Sequence, residues 1–321
     1  MAEGGRPELA GQILANGEYK LIERLGRGAF GDVYKAQCLT GASAGSHHAV
    51  KIEETYQADG NPIDQLYGET KMYLWLTNDP KSVNEAIPEV HSYGQTDKYN
   101  FMAMDLLGKS LEDLFTSNQR QFSLKTVLSI AVQTLQIFKF VHSKRLLHRD
   151  IKPDNFAIGY GPKANKIYLL DFGLCKKFQA ITREGEIRHI EPAESKPLVG
   201  TPRYVSINTH VGGEHSRKDD LIGLSYMFLY FLKGNLPWQG KKNATPEEKI
   251  EHMKQVKREM HAKPDKLFEG VPPCFKDFYI KVSSLGFTDT PNYDAYISSF
   301  LALHQKLGFG SQLDYTYDWT K

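Results

Sequence analysis

His148-Arg149-Asp150-Ile151-Lys152-Pro153-Asp154-Asn155 is the stretch on which the reading of this chain turns. A single carboxylate, Asp150, stands between an arginine and a lysine, and an asparagine closes the run. Asp150 suits the orientation or acceptance of a hydroxyl proton, Lys152 the neutralisation of a phosphoryl oxygen, and Asn155 the holding of a Mg²⁺ ion. Phosphoryl transfer asks little covalent chemistry of a protein, so fixing such charges around the moving group is most of the catalysis.

Further along, Asp171-Phe172-Gly173 follows the apolar run Ile167 to Leu170, where Asp171 would supply the main Mg²⁺ carboxylate. Upstream, Gly26-Arg-Gly-Ala-Phe-Gly-Asp-Val fits G-x-G-x-x-G-x-V, with glycines Gly26, Gly28 and Gly31. Glycines let a backbone turn approach phosphates closely and present N–H groups to them. Dinucleotide-binding turns look alike, but they open a helix, whereas Val33-Tyr-Lys-Ala reads as a second strand. Lys51, in Ala49-Val-Lys-Ile, has the apolar neighbours of an interior strand, where an unpaired ammonium is costly. Glu69 is its expected partner, and the ammonium would also reach the α and β phosphates. On its own, the alternative reading of Lys51 is a surface lysine on an edge strand. The order and spacing of all five signals decide otherwise.

The 321 residues are enough for one large domain or two lobes. Apolar residues make up 40% and charged residues 24%, near the globular average, and the net charge of +2 gives no overall pull towards nucleic acid or membrane. The apolar run Leu221 to Leu232 is too short to cross a bilayer and reads as a buried helix. Cys38, Cys175 and Cys274 form no pair by spacing, which suits reduced thiols. Cys175 reads as a packing residue, and His47 and His48 as solvated residues at the start of a strand. Residues 1–12 are polar and Gly/Pro-rich, a flexible tail by composition. Strand-like runs then alternate from Tyr19 to Asp105, interrupted after Pro62 by a helical spacing of Leu66, Glu69, Tyr73 and Leu76. Helical patterns dominate from Ser110 onward, apart from a long irregular stretch over 172–208. Residues 246–262 predict a charged helix with a solvated face.

The sequence resembles the casein kinase I superfamily of protein kinases, from about Tyr19 to Trp319. The marks are Leu106-Leu-Gly-Lys-Ser-Leu-Glu-Asp-Leu-Phe, Phe122-Ser-Leu-Lys-Thr-Val-Leu, Gly200-Thr-Pro-Arg-Tyr-Val-Ser-Ile-Asn-Thr-His, Ser216-Arg-Lys-Asp-Asp-Leu and Leu236-Pro-Trp-Gln-Gly. Ser206-Ile-Asn stands where most protein kinases carry Ala-Pro-Glu. Asn155-Phe-Ala-Ile-Gly, Leu170-Asp-Phe-Gly-Leu-Cys and the Asp318-Trp ending are also similar to the tau-tubulin kinase branch. The resemblance implies an α+β, two-lobed kinase fold, with a β-rich N-lobe over 13–105, a hinge and helical C-lobe over 106–321, and ATP in the cleft. It implies a serine/threonine kinase using ATP and Mg²⁺ on acidic or already phosphorylated protein segments. Leu25, Val33 and Ala49 would complete the ATP site, Met104 would guard its back pocket, and Asp105 to Leu107 would be the hinge meeting adenine. Asp220 would support the catalytic loop. Arg203, Gly240 and Lys249 would receive a priming phosphate, and Arg149, Lys176 and Lys196 would form a second cationic cluster.

This chain departs from the family's basic run with Pro246-Glu-Glu, which weakens the positive field beside Lys249. Of the loop hydroxyls, Thr182 and Ser195 read as solvated and Thr201 as lining the substrate channel. A monomer is expected, with no membrane anchor and no nucleic-acid partner, in the cytoplasm and also the nucleus. The alternative from another class is a pseudokinase scaffold that binds nucleotide or partners without catalysis. A dehydrogenase built on Gly26 to Gly31 fails on the strand context.

Overall fold

The computed structural model describes residues 7–28, 31–57, 59–78, 86–240 and 244–320. The chain divides into two compact units, one comprising 1–108 with Asp171–Gly173 and the other 109–170 with 174–321.

The first unit is a curled antiparallel sheet. Its strands are β1 (Ile13–Leu14), β2 (Tyr19–Arg27), β3 (Asp32–Cys38), β4 (His47–Glu54), β5 (Val90–Gln95) and β6 (Tyr99–Asp105), in the order β1-β2-β3-β4-β6-β5. Helix α1 (Gln65–Thr77) is inserted between β4 and β5. Side chains alternate across a strand, so the register decides which residues share a face. Tyr19, Leu21, Tyr34, Ala36, Val50, Ile52, Phe101 and Ala103 pack as one apolar cluster. The intervening residues place Val33 opposite Lys51, and Ala49 opposite Met104, on the other side. Leu9 joins the apolar cluster and is only 5% exposed, with its N–H donated to the Tyr34 hydroxyl. The chain is therefore docked on the sheet from Leu9 onward, inside the stretch expected to be a tail. Residues 1–6 of that stretch lie outside the described residues.

The second unit is mainly helical: α2 (Leu111–Ser117), α3 (Leu124–Ser143), α4 (Ile207–His210), α5 (Arg217–Lys233), α6 (Pro246–His261), α7 (Pro264–Leu267), α8 (Pro273–Ser283) and α9 (Tyr293–Lys306). Short strand pairs join β7 (Leu146–Leu147) to β10 (Lys176–Lys177), β8 (Phe156–Ile158) to β9 (Ile167–Leu169), and β11 (Gln179–Ile181) to β12 (Ile187–His189). The last of these shows that the stretch 172–208 is not irregular throughout.

Serines start α2 and α3 by the usual route. Ser110 accepts the Asp113 N–H while the Asp113 carboxylate accepts from the Ser110 backbone, and Ser123 accepts the Thr126 N–H. Apolar on nearly every face, α5 is buried along most of its length, as its sequence requires. The longer α3 has the length and apolar character of a membrane span, but 72% of that window is buried within the protein. Gly223, in the middle of α5, is a close-approach glycine: a Cβ there would lie 2.8 Å from the Ile151 Cβ. The missing methyl lets the 148–155 loop rest directly on α5.

Candidate active site

Within the first unit, Lys51 is carried on β4 and Glu69 on the inward face of α1. Their side chains meet at 2.7 Å, with Lys51 15% and Glu69 3% exposed. The Asp171 carboxylate lies 3.7 Å from the same ammonium. Burial works against the Lys51 charge, but Glu69 and Asp171 outweigh it, so its pKa is raised and the ammonium is kept. Asp171 has φ +63°, a left-handed backbone that a non-glycine residue adopts at some cost. Tyr73, one turn along α1 from Glu69, holds it there. Its hydroxyl accepts the Asp171 N–H at 3.0 Å, and its ring meets Phe172 edge-on at 4.9 Å. In the sequence Tyr73 stood out only as one position of a helical spacing.

The glycine turn sits on the same sheet. Gly28 N–H donates to the Gly31 carbonyl at 2.8 Å, and a Cβ on Gly31 would lie 2.2 Å from the Ile52 carbonyl oxygen. Gly31 thus has a packing requirement of its own, whereas a Cβ on Gly26 would meet open space. Leu25 is half exposed at the end of β2, Val33 is half-buried, and Ala49 and Met104 are buried. Ala29 and Phe30, within the glycine motif, lie outside the described residues.

Asp105 carries a bond that the sequence did not announce. The His91 Nε2 lies 2.8 Å from its carboxylate, and His48 stacks on His91 with ring centres 4.4 Å apart. His48 is buried, so it is not the solvated histidine the sequence predicts. The bond to Asp105 raises the His91 pKa above its usual value, with Glu89 acting the same way, while burial and the His91 charge lower that of His48. A His91 pKa above the unfolded value means the ion pair stabilises fully below the unfolded pKa and loses that contribution as pH rises through the folded one. In urea melts at pH 6 and pH 8, the stability advantage of wild type over His91→Gln is expected to shrink at the higher pH.

In the second unit, Asp150 is buried and each of its oxygens has assigned partners. Oδ1 accepts the N–H and hydroxyl of Thr201 at 2.9 and 2.7 Å; Oδ2 accepts the Lys152 ammonium at 2.6 Å and the Asn155 amide at 3.2 Å. Burial pushes the Asp150 carboxyl up, but Lys152 and Thr201 more than reverse this, and its pKa is lowered. The Asn155 amide nitrogen also donates to the Asp150 carbonyl at 2.9 Å, which leaves the amide oxygen as the atom able to take a cation. Thr201 therefore meets the carboxylate directly, closer to the chemistry than a channel-lining residue.

Beneath this loop, the wholly buried Asp220 at the start of α5 accepts the N–H groups of His148 and Arg149, each at 2.9 Å. His142 adds a third bond at 3.0 Å, and His215 approaches to 3.4 Å. Burial opposes the Asp220 charge, but the two histidines outweigh it and hold the pKa far below the carboxylate range. Arg149 has φ +70°, so Asp220 fixes a strained turn as well as a position. Neighbouring Asp219 accepts from the Ser216 N–H and hydroxyl, from the Ser206 hydroxyl at 2.5 Å, and from the Asn208 amide at 3.3 Å. Both polar residues of Ser206-Ile-Asn are thereby bonded to one buried carboxylate.

Of the two expected anion sites, the first has Arg203 half-buried, its guanidinium 5.8 Å from the Tyr204 ring centre and 5.9 Å from that of Tyr230. No carboxylate among the described residues forms an ion pair with it. Lys249 is exposed in the first turn of α6, and Gly240 has φ +100°. The Glu248 carboxylate beside Lys249 is engaged at the helix start, accepting the Thr245 N–H at 2.9 Å. The second cluster is partly neutralised. Lys176 is paired with Glu214 at 2.7 Å, Arg149 Nε donates to the Leu174 carbonyl, and Lys196 is exposed. Cys175, between these groups, has its thiol pushed up to about 12 by burial, in keeping with a packing role.

No group of three or more His, Cys, Asp or Glu among the described residues could hold a metal by itself. Asp171 in the first unit and Asn155 in the second each offer the oxygen donor that Mg²⁺ takes when phosphates and waters supply its other ligands. The residues therefore fit the Mg-ATP that such motifs imply. A protein kinase domain model matches residues 19–289 of the 321, taking in the glycine turn, Lys51, Glu69, Asp150, Asn155 and Asp171, and the chain belongs to the protein kinase domain family.

Proposed function

We propose that this chain is a catalytically active serine/threonine kinase of the casein kinase I superfamily, directed to acidic or phosphate-primed protein segments. The observation that carries the reading is Asp150, whose carboxylate is held on one side by Lys152 and Asn155 and on the other by Thr201. A lowered pKa keeps it an anion at neutral pH, ready to orient a substrate hydroxyl and take its proton.

Mg-ATP, when bound, supplies the phosphoryl group and the divalent charge that offsets it. Asn155 and Asp171 are the residues that would hold the metal. Lys51, kept charged by Glu69, would bind the phosphate oxygens beside the glycine motif. Lys152 stands 2.6 Å from Asp150 and would place its charge beside the group in transit. Retention of every one of these parts favours catalysis over the scaffold alternative.

The preference for anionic segments rests on Arg203, which forms no ion pair among the described residues although the Glu112 carboxylate acts on it at longer range, with Lys249 as its exposed companion. Glu247 remains as a nearby charge that limits the field. The serine/threonine assignment and the superfamily rest on the resemblance carried by Gly200 to His210 and the other marks quoted above. A phosphate-primed peptide and its unprimed twin should differ in kcat/KM, and Arg203→Ala should abolish the difference. Equal kcat/KM for the two peptides in the wild-type protein would remove the anion preference from the account.

A further inference from the structure

The charged helix α6 carries a lysine that is not on its solvated face. Lys257 is 0% exposed, and no carboxylate among the described residues lies within ion-pair distance of it. A buried ammonium is costly unless its donors are satisfied. Here Nζ donates to the Pro202 carbonyl at 2.8 Å and the Val205 carbonyl at 2.5 Å, with His210 Nε2 at 3.2 Å. The rings of Tyr226 and Trp238 lie beneath it, 5.2 and 5.1 Å from their centres.

Both carbonyls belong to one five-residue segment. Its first residue, Thr201, gives two hydrogen bonds to Asp150, and its third is Arg203. Trp238 takes hold of the same segment one residue along, with Nε1 donating to the Arg203 carbonyl at 2.8 Å. The peptide units on both sides of Arg203 are thus clamped by two side chains that themselves pack together. Such a clamp fixes the direction in which the guanidinium leaves the backbone.

We propose that Lys257 is a positioning residue for the protein substrate, setting the Thr201–Val205 segment and through it Arg203. This rests on the reading of that segment as substrate-facing. Burial without a countercharge, which lowers the lysine pKa, is the cost of placing a donor where two carbonyls converge.

The test is steady-state kinetics on Lys257→Met, similar in length but without donors, using a phosphate-primed peptide and Mg-ATP. The KM for peptide is expected to rise about tenfold, equivalent to about 1.4 kcal/mol, while the KM for ATP stays within about twofold. Lys257→Gln, whose amide still donates, should recover part of the loss. Should Lys257→Met fail to fold, Lys257→Gln and Trp238→Phe carry the test with the same split between the two KM values. An unchanged peptide KM in a variant whose melting temperature has dropped would assign the lysine to stability alone and overturn the proposal. Arg203→Ala separates the two levels. If it too leaves the peptide KM unchanged, the substrate-facing reading of the segment fails; if it raises KM while the Lys257 variants do not, only the clamp fails.

Discussion

Replacing Asp150 by asparagine lowers kcat by roughly 10²–10⁴-fold, the range expected for losing a positioned general base. The shape is nearly conserved: the amide oxygen can still accept from Thr201, while the amide nitrogen must face Lys152, a donor against a donor. Charge is what changes. Asp150 is buried, so the Lys152 ammonium, 2.6 Å away, loses a partner that solvent replaces poorly. Lys51 and Glu69 are untouched by the substitution, so the KM for ATP should hold within about twofold. Steady-state kinetics with saturating peptide would check both halves of the expectation. A variant with normal kcat would take Asp150 out of the chemistry.

The largest loss of stability is expected from Asp220→Ala, about 3–5 kcal/mol, because removing one partner of a buried charged network strands the others. Two backbone N–H groups and His142 would lose their acceptor in a site with no exposure. The pH dependence follows from the direction of the shift. The folded pKa lies far below the unfolded one, so the contribution of Asp220 is complete above the unfolded value and is lost as pH falls towards the folded one. Denaturant melts of the two proteins should therefore differ most near neutral pH and converge in acid. A gap that stays constant between pH 7 and pH 3 would mean the carboxylate charge is not what Asp220 contributes. Activity should fall together with stability, since Asp220 holds the backbone of the loop bearing Asp150.

What could be read from the sequence was the chemistry that tolerates few residue types. Lys51, Glu69, Asp150, Asn155 and Asp171 sit in short motifs at ordered spacings, and in each unit the structure draws the corresponding groups together. The strands and longer helices were legible because their apolar residues keep periods of 2 and 3.6. Polar residues that act by meeting a distant segment have no such period. Lys257 looked like one more charge on a solvated helix, yet its position on the α6 turn facing Tyr226 and Trp238 buries it completely. His48 and His91 lie 43 positions apart, and only the register of β4, β6 and β5 stacks them beside Asp105. Ser206 and Asn208 were recognised as a motif, but the carboxylate they share, Asp219, is supplied by the next helix. Leu9 was hidden in a polar stretch where composition argued for a tail, and it docks together with backbone bonds that Gly11 and Gln12 make to Leu21.

The measurement that bears most directly on the central claim is transfer of labelled γ-phosphate from Mg-ATP to casein, with wild type and Asp171→Asn compared side by side. Phosphate incorporation by the wild-type protein, lost in the variant while Lys51 and Glu69 remain intact, is the predicted result. A wild-type protein that binds nucleotide yet transfers nothing to casein or to a panel of primed peptides would contradict it, and would make the chain a nucleotide-binding scaffold.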